Sequence, residues 1–580
     1  MVLAYAGAVS GSSTEVVGAE SAGRPAGRTR RILRSRSAAG LGLAVMTVLV
    51  WARPVLSDFA GARLSNPGDS ESFAFYLAWN VHAVLNGENP FTTPNMYAPQ
   101  GMDLGNAISI PAVSVLVAPV TLLWGATAGY NVAFLVAILA AAVAVLLLAR
   151  EWTGSASGSL VAGALVVVSP YFSGHALGHL NMMWVVALPG VAFLVVRHVR
   201  GRMRGRWLVV GTAVLVAFTL GASTELMVTQ VVFGAVALGV GLLFAPAGPR
   251  RRILACIPLL AAGGAGGAVL AAPVIWAALR TGVPEAAANP PSQFSTDLTN
   301  LVVPTPNVLI GDSFFQDLRS HWMGNVAENT AYVPLTMLVL AGVAVVWVRN
   351  RLTLGLAAFA AISFVLSLGP VLTIAGYPTV PMPWRLAELL PGLNHALPGR
   401  FSAFVFMALA VLVAIAWSTW RSRLPRLAVG VGIAVSCVLL LPSPSLGWPV
   451  YPTPTPVAAY VSSGQLTDDT QPDENVLVLP SGQWGPGLRW MEVLDFSFRT
   501  PTGNGGGAAP PPQLKDPTAA ALFNRDLAYD YADRLLPYLR SVGVQLVLVD
   551  EGHPEWRAVM DAVLPGQGRS VGGVLVYRVP

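Results

Sequence analysis

Charge is what this chain has least of. Asp, Glu, Lys and Arg make up 11% of its 580 residues, where a soluble domain carries roughly a quarter, so a water-soluble globule is excluded as the whole. Lysine is nearly missing: Lys515 stands alone against 34 arginines. With abundant Ala, Gly and Val, that bias points to a GC-rich, actinobacterial genome and says nothing of chemistry. The two cysteines, Cys256 and Cys437, both lie in apolar runs. They read as small hydrophobes, which excludes a disulfide framework and a thiolate metal spacing. There is no Walker A sequence, no GxGxxG opening a helix after a strand, no HExxH and no GxSxG. An ATP-driven pump and a serine hydrolase are disfavoured accordingly.

Apolar residues dominate instead, at 54% with a mean hydropathy of +0.60. Candidate spans fall at roughly 38–56, 110–126, 129–149, 159–173, 181–197, 207–223, 226–245, 253–279, 332–348, 352–374, 401–419 and 426–442, most of them long enough for a hydrocarbon core of roughly 30 Å. Arginines gather between them, at 197–206, 249–252, 349–351 and 421–426. If these face the cytoplasm, every span from 159 onward alternates. The net charge of +6 therefore needs no nucleic-acid partner. Residues 1–37 form a basic cytoplasmic tail ending in Arg28, Arg30, Arg31, Arg34 and Arg36. The segment 110–126, with Pro111 and Pro119, reads as re-entrant or interfacial. The expectation is an α-helical polytopic membrane protein with about 11 to 13 transmembrane helices.

A membrane domain over 38–445 then carries external loops at 58–109 and 281–331, and 446–580 forms an extracytoplasmic α/β domain. In that tail Asn475–Pro480, Val544–Asp550 and Val574–Val579 read as strands, Leu522–Val542 as a helix, and Gly503–Pro512 as a loop. The N-terminus is cytoplasmic and the C-terminus external in a bacterial plasma membrane.

The first external loop is the richest in chemistry. Asp69 and Glu71 follow Pro67–Gly68 and open an amphipathic helix bearing Phe73, Tyr76, Leu77 and Val81. Two carboxylates just above a membrane suit a base and a metal ligand acting on a lipid-borne substrate. They equally suit a helix N-terminus, where the backbone dipole favours acids. Asp58 stands at the membrane edge. His175 and His179 mark another span boundary, followed by Asn181; no third ligand for a zinc site is evident beside them. Glu225 falls between two spans with almost no loop, where an acid is costly unless paired or wet. Gln316, Asp317, Arg319, His321 and Glu328 precede the span near Tyr332, and Arg385 and Arg400 are external cations that suit a phosphate, a carboxylate or a lipid headgroup.

A first span, then a large loop opening on an acidic pair and an aromatic helix, resembles the GT-C superfamily of integral membrane glycosyltransferases. Asn89–Phe91 and Tyr97–Gly101 (YAPQG) resemble the same loop in bacterial members. The second half, with Leu390–Phe401 reading LPGLNHALPGRF, also resembles YfhO-like membrane proteins. The resemblance implies a sugar donor carried on polyprenyl phosphate, a glycan or lipid acceptor, membrane lipids as surroundings, and no nucleic acid. It also implies Asp69, then Glu71, as the catalytic base, and in some members a divalent cation (Mg or Mn) on the same pair. The substrate-binding set is then Asp58, His179, Asn181, Glu225, Glu328, Arg385 and Arg400. The Asp-x-Glu spacing departs from the family's adjacent or Asp-x-Asp pairs. A flippase or transporter of a lipid-linked glycan and a non-catalytic assembly protein are the competing readings. No internal repeat supports transport.

Overall fold

The structure, a computed structural model, describes residues 38–64, 69–282, 289–311, 313–390, 392–420, 423–443, 452–471, 474–482, 485–503 and 511–580. The basic tail 1–37, the Pro67–Gly68 turn, most of the Gly503–Pro512 loop and the boundary at 445/446 fall outside the described residues.

Among those residues the chain is a polytopic helical membrane protein. Eight helices are long and apolar enough to cross a bilayer: Ala38–Val55, Pro111–Thr153, Ala156–His175, Leu180–Val199, Gly205–Ala222, Thr224–Phe244, Ala247–Leu270 and Pro398–Thr419. Leu335–Val348, Arg351–Ser367 and Leu424–Leu439 are shorter apolar helices. The span Leu180–Val199 opens with the turn Leu180–Met183 and continues as the helix Ala187–Val199, whose 13 residues rise about 20 Å. At one end lies His179; beyond the other, Arg197, Arg200 and Arg202 all pair with the buried carboxylate of Glu151 at 3.3, 3.7 and 2.7 Å.

Several sequence boundaries move. The two apolar segments 110–126 and 129–149 are one helical stretch, Pro111–Thr153, broken at Gly125 (φ 86°, ψ 170°). A Cβ on Gly129 would lie 3.6 Å from Thr121 Cα, whereas a straight helix separates residues eight apart by about 12 Å. The first piece thus folds back on the second. The segment 352–374 stops as a helix at Ser367, where Gly369 (φ 74°) and Pro370 intervene, and Val371–Ile374 pairs with Tyr377–Pro381 as a hairpin. The segment 253–279 breaks at Ala271 before a proline-led helix, Ala272–Thr281. The expected helix Leu522–Val542 is two helices, Pro517–Asn524 and Tyr531–Ser541, because Arg525 turns left-handed (φ 56°) and ends the first.

The tail builds a four-stranded sheet in the order Asn475–Leu479, Val544–Asp550, Val574–Arg578, Arg569–Val571, the first pair parallel and the others antiparallel. All but the exposed edge strand Arg569–Val571 are largely buried on both faces, which is why they read as near-continuous apolar runs. Val476, Val478, Leu546 and Leu548 join the core of the membrane helices. Leu477, Leu479, Val547 and Val549 alternate onto a second core with Leu522, Leu539 and Trp556. A short strand, Pro452–Pro454, also pairs antiparallel with Ala62–Leu64 of the first loop. The helix Asp69–Leu85 is therefore not amphipathic in place: Phe75 and Trp79 lie edge-on to Phe496 of the tail at 5.4 and 5.2 Å, so the face that would meet water is covered.

Candidate functional site

Five charged or titratable side chains from five separate stretches converge at the end of the bundle opposite the Glu151 arginines. Arg400 opens the helix Pro398–Thr419, and its guanidinium is the centre of the group. Its Nε donates to Glu328 at 2.9 Å, and its Nη1 donates to both oxygens of Glu225 at 2.7 Å. Nη1 also meets the Met182 sulfur at 3.3 Å. Glu225 is where it is because Ser223 caps the helix Thr224–Phe244, turning the next residue out at the helix end. Glu328 is 2% exposed and sits in a turn capped by the Asn325 side chain. Burial would raise its carboxyl, but Arg400, His175 and His179 outweigh burial and hold it well below the carboxylate range.

His179 bridges this group to the first loop. Its Nδ1 is 3.5 Å from Glu328 Oε1 and its Nε2 is 3.8 Å from Asp69 Oδ2. His175 Nδ1 lies 3.2 Å from His179 Nδ1, and the buried His175 Nε2 has no hydrogen-bond partner. Asp69, at the first turn of its helix, is 37% exposed, so it looks onto solvent from the rim of the cluster. Three carboxylates, those of Asp69, Glu225 and Glu328, thus gather around the Arg400 guanidinium and the His179 ring.

Of the sequence candidates, Asp69, His179, Glu225, Glu328 and Arg400 come together, and Asn181, two positions after His179, is buried in the turn Leu180–Met183. Three do not join. Glu71 turns the other way and is held by the fully buried Arg63 through both guanidinium nitrogens, with Arg63 over the Tyr130 ring at 5.8 Å. Asp58 caps its own turn, accepting from the Gly61 N–H at 2.9 Å. Arg385 is exposed on the short helix Trp384–Ala387. The pair Asp69–Glu71 thus does not converge on one cation. The candidate metal ligands are instead His175, His179 and Glu328, with ligand atoms within 4.8 Å of one another. Glu328 is the third candidate ligand that local spacing could not supply, being far from both histidines in sequence. Two imidazoles and a carboxylate suit Mn or Zn better than Mg, which prefers oxygen donors. Arg63, paired with Glu71, was also missed; a lone arginine in a loop carries no local signal.

No protein-family model and no characterised protein sequence matches the chain. Solved structures do match in fold. The archaeal oligosaccharyltransferase AglB from Archaeoglobus fulgidus, solved with an inhibitory peptide and a dolichol-phosphate, superposes with a TM-score of 0.52 at 12% identity, over 94% of this chain and 74% of its own. The arabinofuranosyltransferase AftD from mycobacteria gives 0.57 at 16%, over 94% of this chain but 40% of AftD. ArnT from Cupriavidus metallidurans gives 0.50 at 13%, over 93% and 98%. On these likenesses the chain has the fold of the GT-C superfamily of integral membrane glycosyltransferases.

Proposed function

We propose that the chain is a membrane glycosyltransferase that moves a sugar from a polyprenyl-phosphate donor to a glycan or lipid acceptor on the extracytoplasmic side. The observation that carries this reading is the convergence of Asp69, His179, Glu328, Arg400 and Glu225 at one bundle end. The GT-C fold and the dolichol-phosphate in AglB support the donor class. The arginine-rich opposite end supports the orientation. AftD, although this chain spans only 40% of it, supports a cell-envelope acceptor in an actinobacterium.

Asp69 is the general base. Its partly exposed carboxylate takes the proton of the acceptor hydroxyl as that oxygen bonds to the anomeric carbon. The bond from that carbon to the phosphate oxygen breaks, and the lipid phosphate leaves with the electron pair. His179 holds Asp69 and Glu328 in register, and Glu225 and Arg400 are the groups that meet the sugar hydroxyls and the phosphate. Arg400 is already shared by two carboxylates, so phosphate must displace one of them. A divalent cation on His175, His179 and Glu328 would supply positive charge to the leaving phosphate.

The test is transfer of radiolabelled sugar from membrane polyprenyl-phosphate donors at matched protein abundance. Asp69→Asn is expected to lower transfer by about 10²–10⁴-fold without loss of folded protein, and Glu71→Gln to lower abundance or stability instead. Full transfer by Asp69→Asn, or none by wild type from any donor, would overturn the reading.

A further inference from the structure

The segment 371–390 is exposed and apolar where a water-facing loop would be polar. Leu386, Leu389 and Leu390 are 72%, 78% and 57% exposed, and Tyr377 and Val380 of the hairpin 61% and 52%. Only Arg385 and Glu388 carry charge in these twenty residues, where a solvated stretch carries about five. The same segment is anchored from its other side. Trp384 is 2% exposed and lies 4.7 Å from the Phe401 ring; Phe401 in turn lies 4.9 Å from Phe233. Phe233 is nine positions into the helix Thr224–Phe244, so about 13 Å below its end, and Phe404 of the same cluster is six positions into the spanning helix Pro398–Thr419. Trp384 is therefore fastened at the level where spanning helices enter the hydrocarbon, and the exposed leucines of the adjoining turn share that level.

We infer that segment 371–390 is a lip seated in the bilayer leaflet on the side of the site. Leu386, Leu389 and Leu390 lie among the acyl chains, Tyr377 sits at the headgroup boundary as interfacial aromatics do, and Arg385 meets lipid phosphate with its stem in the apolar layer. The lip abuts Phe401, next to Arg400, so it borders the charged cluster directly and forms the membrane-side edge over which a lipid-borne ligand reaches it. The inference rests on the bilayer and not on transfer chemistry, so either can fail alone.

The experiment uses full-length protein with Cys256 and Cys437 replaced by alanine, in nanodiscs of phosphatidylcholine and phosphatidylglycerol. Leu389→Cys, and separately Tyr377→Cys, are labelled with bimane; Leu527→Cys on the tail, 49% exposed in the native chain, is the aqueous control. Shallow doxyl-lipid is expected to quench positions 389 and 377 several-fold more than 527, and iodide to show the reverse order. Iodide quenching at 389 and 377 equal to that at 527 would overturn the lip. So would protection of both from either quencher, which would mean that a second copy or another protein covers the surface.

Discussion

Arg400 is the residue on which the site turns, because a single guanidinium satisfies Glu225, 175 positions away, and Glu328, 72 positions away. Glu328 is 2% and Arg400 12% exposed, so screening by water is weak and the geometry decides the energy. Removing one partner of a buried pair leaves an uncompensated charge and costs about 3–5 kcal/mol. Arg400→Ala is therefore expected to lower the melting temperature in detergent markedly, and Arg400→Met with Glu328→Gln to recover a good part of it. Equal losses in the single and double variants would mean that the unpaired carboxylate is not the cause. The chemistry of Asp69 belongs to this scale too. It differs from Glu71 by two positions in the chain, yet one faces the cluster and the other a buried arginine.

At the scale of elements, two features set where the helix Asp69–Leu85 lies. The first is the break at Gly125. Its φ of 86° and ψ of 170° fall in a region essentially closed to residues with a Cβ, at about 1–3 kcal/mol. A Cβ there would touch nothing within 4 Å, so the backbone alone carries the cost. Gly125→Ala is expected to destabilise by that amount in thermal unfolding, and an unchanged melting temperature would refute the folded-back hairpin. The second is the tail helix Gly487–Val493. Its Glu492 pairs with Arg489 at 3.0 Å and is 2% exposed. Burial pushes its carboxyl up from 4.5 to about 7, against the pull of Arg489 and with the Glu71 charge adding to the rise. A raised carboxyl stabilises fully below pH 4.5, and that contribution is lost as pH climbs through 7, amounting to roughly 3 kcal/mol. Glu492→Gln is expected to flatten the fall in melting temperature between pH 5 and 8; a wild-type-like slope would exclude Glu492 as its source.

For the whole molecule, one apolar core runs from the membrane helices into the tail sheet, joining Tyr130 and Phe134 to Val476, Trp490 and Phe496. Asn95 ties the same seam, its amide donating to the Phe496 and Phe498 carbonyls at 2.8 and 2.9 Å. Asn95→Ala strands both carbonyls, at about 1–3 kcal/mol each. Hydrogen exchange is expected to quicken together in residues 487–500 and 69–85. Faster exchange in the tail alone would mean that the tail and the site helix are independent.

What the sequence determined by itself were the properties carried by unbroken runs. The apolar spans, the helix opening at Asp69 and the three main tail strands were legible because periodicity and length are local, and helix caps and turns end them locally. The resemblance to GT-C glycosyltransferases, drawn from the order of span, acidic pair and aromatic helix, belongs here too, and the superposed structures carry the same fold. What only the tertiary structure decided was which ends of those runs meet. Charge partners such as Arg400 with Glu225 and Glu328, or Arg63 with Glu71, are chosen by helix packing, and a lone polar residue at a span boundary reads the same whether it faces water, lipid or a partner. The reversal at Gly125, the carboxylate of Glu328 beside His175 and His179, and the burial of both faces of the site helix have the same cause: each depends on a second segment brought near by packing, and no local pattern records it.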